Sequence, residues 1–242
     1  MKIAIVLPTY NEQAAVSSLI PEIFGVCGKN RIDCTVIVVD DNSPDGTAET
    51  VKELQGKYKI VLISRPKKMG LGTAYIAGFK KALEIGTDLV FSMDADFSHQ
   101  PRSIPDFVEA SRDFDVVLGS RYVSGGGTSM CGYRLVLSRG ANFIASTLLG
   151  FKAKDITTGY RCYNAKVLKT IDLDSIKTSG YSFLEEILFV CNKQKGFSIG
   201  ETPIFFDTRR SGESKLGRKE IIKFFLNMLR LKINSLFQKQ NN

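Results

Sequence analysis

The chain has 242 residues, with 33 Lys+Arg against 25 Asp+Glu and a formal net charge of +8. That length fits one large domain, and 43 % hydrophobic with 24 % charged residues excludes a disordered or fibrous chain. Five scattered cysteines (Cys27, Cys34, Cys131, Cys162, Cys191) without a C-x-x-C pair read as reduced thiols, and the single histidine, His99, excludes a Cys/His zinc centre and a Ser-His-Asp triad.

Lys2-Ile3-Ala4-Ile5-Val6-Leu7 is a continuous apolar run, as in a strand buried on both faces of a parallel sheet, and Pro8-Thr9-Tyr10-Asn11 ends it. A helix starts near Asn11 and Glu12. Residues 34–39 form a second such strand, closed by Asp40-Asp41; Ser43-Pro44-Asp45 then offers an N-cap, a proline at the first helical position and an acidic first turn. Further strands are expected at 60–64, 89–93 and 116–119, with helices between them at about 70–86 and 102–112. This alternation predicts an α/β fold with a doubly wound, mostly parallel sheet. Ser124-Gly125-Gly126-Gly127-Thr128-Ser129 reads as a flexible loop, a lid or acceptor loop with a linker as the alternative. A helix at about 134–149, the stretch 159–164, a helix at about 181–195 and a strand ending near Phe206 follow. The second half reads as an elaboration of the same domain, so 1–217 is expected to be one catalytic domain.

Ligands of doubly wound sheets sit beyond the carboxyl ends of the strands. Those ends are Pro8–Glu12, Asp40-Asp41, Asp94–Asp96 and Gly119–Arg121: three finish in carboxylates and one in an arginine. Asp94-Ala95-Asp96 places two carboxylates at i and i+2, able to converge on one hard divalent cation. Alone, such a pair is more often a solvated turn; here the neighbouring ends share its chemistry. Arg121, Arg134, Arg209 and Lys215 are cations near loop or element ends, and Arg209-Arg210-Ser211-Gly212-Glu213-Ser214-Lys215 is a Gly/Ser turn able to fold over an anion. Gly70-Leu71-Gly72-Thr73 is not a dinucleotide fingerprint, because Tyr75 stands where the third glycine belongs. His99 reads as a loop residue shaping the metal site rather than as a base.

From Lys219 to Lys239 a helical projection puts Lys223, Asn227, Arg230, Asn234 and Gln238 in a polar wedge of about 80°, with apolar residues over about 240°. So broad an apolar face implies a second contact besides the core. Residues 218–242 are therefore expected to form an amphipathic, basic helix on a membrane surface or a partner, with a deeply buried final helix as the alternative. No apolar run reaches the roughly 18–20 residues of a membrane span, and Met1-Lys2 leads straight into a strand rather than a signal peptide.

Seven motifs occur in order: Pro8-Thr9-Tyr10-Asn11-Glu12, Asp40–Thr47 (DDNSPDGT), Gly70–Tyr75 (GLGTAY), Asp94–His99 (DADFSH), Gly119-Ser120-Arg121-Tyr122, Ser138-Arg139-Gly140-Ala141-Asn142 and Gly212–Gly217 (GESKLG). This string resembles the dolichol-phosphate mannose synthases, inverting family 2 glycosyltransferases with the GT-A fold, over nearly the whole chain. The resemblance implies that Pro8, Tyr10, Glu12, Val39 and Asp41 hold the nucleoside of GDP-mannose. It makes Asp94 and Asp96 the metal ligands (Mg²⁺ or Mn²⁺) and the catalytic pair, with Ala95 alongside. Arg121, Arg209 and Lys215 match the positions facing the donor diphosphate, and Arg121, Arg134, Ser138 and Arg139 are candidates for the acceptor phosphate of a polyprenyl or dolichyl lipid. Some members carry Gln where this chain has Ser98. Many continue into membrane spans, so the chain is expected to work peripherally at the cytosolic face of a membrane, directly or through a small membrane subunit, or to be a truncated form. The residues leave open another donor such as UDP-glucose, and a non-catalytic nucleotide-sugar-binding adaptor. A nucleic-acid binder would also use the charge, but no basic stripe interleaved with aromatics is present.

Overall fold

The computed structural model describes residues 1–176, 182–207, 224 and 226–233. Three strand–helix units come first: β1 (Lys2–Thr9) with α1 (Gln13–Lys29), β2 (Asp33–Asp40) with α2 (Thr47–Gln55), and β3 (Ile60–Ser64) with α3 (Leu71–Glu84). β4 (Leu89–Ser92), α4 (Ile104–Ala110) and β5 (Val116–Ser120) follow. Then come the short β6 (Gly127–Thr128), α5 (Gly132–Leu149), β7 (Arg161–Asn164), α6 (Ala165–Thr170), α7 (Ser182–Phe189), β8 (Ile199–Pro203) and β9 (Phe205–Phe206).

Seven strands form one sheet in the order β3-β2-β1-β4-β7-β5-β8. All neighbours run parallel except β7, which is antiparallel to both β4 and β5. The chain reverses its direction of travel across the sheet between β1 and β4, the switch point where α/β sheets open a crevice at their carboxyl ends. Side chains alternate between two cores, as the pleat requires. Ala4, Val6, Ile37 and Val39 face the cluster shared with α3 and α7, whereas Ile3, Ile5, Val36 and Val38 face the one covered by α1 and α4. Gly78 lets α3 lie flush on β1: a Cβ there would stand 2.2 Å from Val6 Cγ1.

The expected parallel α/β sheet is present, with four differences. α2 starts at Thr47, after Gly46 at φ 89°, and not at Ser43–Asp45. Those side chains are used elsewhere: Asp45 accepts the N–H groups of Gln13 and Thr47, and Ser43 donates to Asp40 and accepts the N–H of Asn11. The glycine-rich 124–129 stretch is not wholly loop, because β6 pairs with β9, Gly127 opposite Phe205. The antiparallel β7 and helix α6 are additions, and α7 continues as a π-helical turn at Val190–Gln194.

The fourth concerns the C-terminal helix, described over residues 226–233. Asn227, placed in the polar wedge, is buried and donates to the Ser182 carbonyl, while Arg230 pairs with Glu186. Polar groups on α7 draw that wedge inward. Met228 and Leu231 are buried beside it, and Leu226, Leu229 and Ile233 are exposed, which leaves an outward apolar stripe. Lys223, Asn234 and Gln238 lie outside the described residues. Among the described residues no helix is long and apolar enough to cross a membrane. All five cysteines are free thiols.

Candidate active site

The carboxyl ends of β1, β2 and β4 each turn through a left-handed non-glycine residue: Asn11 at φ 58°, Asn42 at φ 59° and Phe97 at φ 64°. Asparagine tolerates this region, whereas a phenylalanine held there marks local strain beside the Asp94–Asp96 pair. The turn is fixed by Asp96, whose Oδ1 accepts the N–H of Ser98 at 3.0 Å and its hydroxyl at 2.5 Å. Ser98 thus orients this carboxylate.

Asp94 is held by groups far away in sequence. Tyr75 Oη donates to Asp94 Oδ1 at 3.1 Å, and burial followed by the Asp94 charge pushes the phenol pKa far up, so it remains a donor. The buried His99 accepts the N–H of Asp94 through Nδ1 at 3.0 Å. Burial pushes its pKa down and keeps the ring neutral, so the ring proton sits on Nε2, 3.9 Å from Asp94 Oδ2. Tyr160 stacks on the imidazole at 5.0 Å and Phe206 meets it edge-on at 5.9 Å. His99 therefore shapes the carboxylate pair and is committed away from base catalysis. Gly159 closes the wall, where a Cβ would sit 3.6 Å from both Asp94 oxygens. The Asp94 side chain is 29 % exposed, so it opens to a ligand.

Arg121, at the end of β5, reaches the same place through Phe206, whose ring lies 5.3 Å from the guanidinium; Tyr122 flanks it at 5.1 Å. Asp155 holds it by Nε and Nη2, each at 2.7 Å, and Thr157 Oγ1 accepts from Nη2 at 2.9 Å. Burial works against its charge, but the fully buried Asp155 prevails and raises its pKa. Nη1 is not used by these bonds. Thr157 is tied to Asn142 of α5 in both directions, its N–H donating to Asn142 Oδ1 and Asn142 Nδ2 donating to its hydroxyl. Asp155, Thr157 and Asn142 escaped the sequence reading as single residues; the Asp/Thr-rich stretch Asp155-Ile156-Thr157-Thr158-Gly159 was the available signal.

At the carboxyl end of β2, Asp41 is nearly buried and both oxygens have protein partners. Arg65 bonds Oδ1, and the N–H groups of Met69 and Gly70 donate to Oδ2 at 3.1 and 3.4 Å. Arg65 also donates to Thr73 and to the Gly70 carbonyl, so this pair fixes the entry to α3. Asp40 serves the turn, accepting from Thr9 and Ser43. Tyr10, Pro8 and Glu12 are half-buried, and Lys68 Nζ lies 4.1 Å above the Tyr10 ring. Val39 is fully buried in the core and Ala95 nearly so.

On α5, Ser138 accepts from Tyr122 Oη at 2.7 Å, and Arg139 lies 5.6 Å from the Tyr122 ring, so both approach Arg121 through that tyrosine. Arg134 is exposed and about 140° around the helix from Arg139, its Nε 3.4 Å from Tyr133 Oη. Arg209 and Lys215 lie outside the described residues.

The polar ends of β1 and β2, a carboxylate pair and a held arginine thus share one crevice at the switch point. The model of glycosyl transferase family 2 matches residues 4–172. The chain belongs to that family. Curated relatives of this glycosyl transferase include the undecaprenyl-phosphate mannosyltransferase of Micrococcus luteus, 41 % identical over 89 % of this chain and 88 % of that protein. The polyprenol monophosphomannose synthase of Mycolicibacterium smegmatis is 38 % identical, covering 90 % of this chain and 82 % of that one. The dolichol-phosphate mannosyltransferase of Pyrococcus furiosus is 36 % identical over 96 % of this chain, which spans 64 % of that protein. Among solved structures, the glucosyl-3-phosphoglycerate synthase of Mycobacterium tuberculosis, determined with Mn²⁺, UDP and phosphoglyceric acid, superposes with a TM-score of 0.69 over 97 % of this chain and 78 % of that one. At 17 % identity that likeness is one of fold, and the fold of this family 2 glycosyl transferase is the expected GT-A type.

Proposed function

We propose that the chain transfers mannose from GDP-mannose to dolichyl or another polyprenyl phosphate, with inversion at the anomeric carbon and release of GDP, at the cytosolic face of a membrane. One observation carries the reading: Asp94, Asp96 and Arg121 converge around His99 and Phe206 at the β1/β4 crevice. The names of the three mannosyl-transferring relatives supply the sugar and the lipid phosphate.

Among the described residues no group of three or more His, Cys, Asp or Glu is placed to hold a metal, and a pair of hard carboxylates suits Mg²⁺ or Mn²⁺, which take few protein ligands and complete their shell with water and phosphate. Asp94 and Asp96 would hold the ion, which supplies Lewis-acid neutralisation of the departing diphosphate. Pro8, Tyr10, Glu12 and Asp41 flank the nucleoside, with Arg65 neutralising Asp41 so that no bare carboxylate meets the base. Arg121 offers Nη1 to the phosphates, joined by Arg209 and Lys215. Arg134, Ser138 and Arg139 lie on the acceptor side.

The acceptor phosphate is largely a dianion at neutral pH by analogy with phosphoserine, whose second pKa is about 6. Its oxygen attacks the anomeric carbon as the bond to the diphosphate breaks, and the electron pair leaves with GDP. No side chain needs to remove a proton, which agrees with a neutral His99 whose Nδ1 is already used. Contact with the membrane is supported by α5, where Tyr133, Val136, Leu137, Phe143 and Ile144 are all exposed. They span an arc of about 120° with Arg134 and Arg139 on its flanks.

A transfer assay with purified protein, Mg²⁺ or Mn²⁺, a short polyprenyl phosphate and labelled donor tests the reading. Lipid-linked mannose from GDP-mannose, absent without metal, is the expected result. Transfer from UDP-glucose instead would overturn the donor. Metal-dependent nucleotide binding without transfer from either donor would favour the adaptor reading.

A further inference from the structure

On the flank of α5 facing Arg139, a groove of about 440 Å³ runs between the helix and residues 151–154. Arg139, Lys152 and Lys154 line it with Phe143 and Phe151, and among the described residues none that lines it is acidic. The walls are fixed by hydrogen bonds. Ser146 Oγ donates to the Ala153 carbonyl at 2.8 Å, and Phe151 N–H donates to the Ser146 carbonyl at 2.8 Å. Glu201 accepts the N–H groups of Lys154 and Asp155 at 2.9 and 3.0 Å, pinning the strip that carries the lysines from behind. Lys193 braces the far end through the Gly150 carbonyl and lies 5.6 Å from the Phe151 ring.

Two features identify an occupant. Three cations without a lining carboxylate select an anion, and phosphate is the anion such sets hold well. Phe143 belongs both to the groove and to the exposed apolar stripe of α5, so the cationic slot opens beside a surface suited to acyl chains. A ligand with a phosphate at one end and hydrocarbon at the other satisfies both.

We propose that this groove, which borders the acceptor side at Tyr122 and Arg139, is a headgroup site for an anionic phospholipid of the surrounding bilayer: Lys152 and Lys154 take the phosphate beside Arg139, and the acyl chains leave over Phe143. The proposal rests on the membrane reading above. Its test uses neither sugar donor nor polyprenyl acceptor, so it stands or falls apart from the transfer reaction.

The test is sedimentation of the full chain with phosphatidylcholine vesicles, with and without a minority of phosphatidylglycerol. The double variant Lys152→Glu/Lys154→Glu is compared with Lys29→Glu/Lys57→Glu, which changes net charge equally but on α1 and after α2. The wild type should prefer the anionic vesicles. The groove variant should lose roughly ten- to a hundredfold in affinity for them, from the attraction of two basic residues, and the comparator should lose far less. Lys152→Gln/Lys154→Gln, judged with matched melting curves, should fall between wild type and the reversal. Equal losses in the two charge-reversed variants would reduce the effect to net charge and overturn the site. No preference for phosphatidylglycerol would overturn it too. Release by inorganic phosphate at constant ionic strength would assign the groove to a soluble anion instead.

Discussion

Asp94 is positioned before any ligand arrives, by Tyr75 on one oxygen and by His99 at its backbone and near its other oxygen. Asp96→Ala should remove metal-dependent donor binding and transfer together, read by titrating GDP with Mn²⁺ and by the transfer assay. His99→Gln should weaken metal-dependent donor binding by about ten- to a hundredfold, the usual cost of losing a group that orients a ligand, while the melting curve shows the fold retained. Asp155→Asn should cut transfer and also lower the melting temperature, since it takes the counter-ion from the nearly buried Arg121 side chain; unchanged kinetics in the protein that remains folded would remove Asp155 from the positioning role. The carboxylates and Arg121 were legible because each ends an apolar run. Their supports were not: Asp155 lies 34 residues from Arg121, and Tyr75 lies 19 from Asp94 on a helix whose pattern reads as core. Arg65 was missed for the same reason, since its partner Asp41 belongs to another strand.

Strands buried on both faces declare themselves by continuous apolar runs, so β1, β2 and β3 were read within about three residues. Polar turn chemistry was harder, because Ser43 and Asp45 have the identities of cap residues yet bond the β1–α1 loop. Antiparallel β7, Arg161-Cys162-Tyr163-Asn164, has no apolar run to announce a buried strand, and its direction depends on tertiary pairing with β4 and β5. Gly78→Ala should destabilise the fold by about 1–3 kcal/mol, since the added methyl drives α3 off Val6; a denaturant midpoint measures it. Helix α7 holds a second test. Glu185 is 2 % exposed, its Oε2 has no hydrogen-bond partner among the described residues, and burial lifts its pKa from 4.5 to about 7 against partial relief from Arg161. The folded state thus binds the proton more tightly than the unfolded one. Stability from this group is fully present below the unfolded value and falls as pH rises through the window from 4.5 to about 7, by on the order of 3 kcal/mol. Glu185→Gln should flatten the melting temperature across that window and raise it at alkaline pH.

At the scale of the molecule, a net charge of +8 and the outward apolar faces of α5 and of the C-terminal helix point to the same kind of surface. Val136→Ser/Phe143→Ser should leave the melting curve unchanged, since both side chains are over 70 % exposed, and lower vesicle binding by about tenfold or more. The sequence reading looked for a membrane face in the last helix alone and placed α5 only as a helix at about 134–149, because only tertiary packing decides which side of a helix is covered. The sheet order has a bearing on biosynthesis as well. β3-β2-β1-β4 is complete once residue 92 is made, but β4 keeps a bare edge until β7 pairs with it. Tyr75 holds Asp94 from earlier in the chain, but Gly159, which closes the wall, and Tyr160 and Phe206, which pack the His99 ring, all come later. A nascent chain therefore passes through a stage with half a sheet, an open strand edge and no competent crevice, and it gains catalytic shape only when its last described strands arrive.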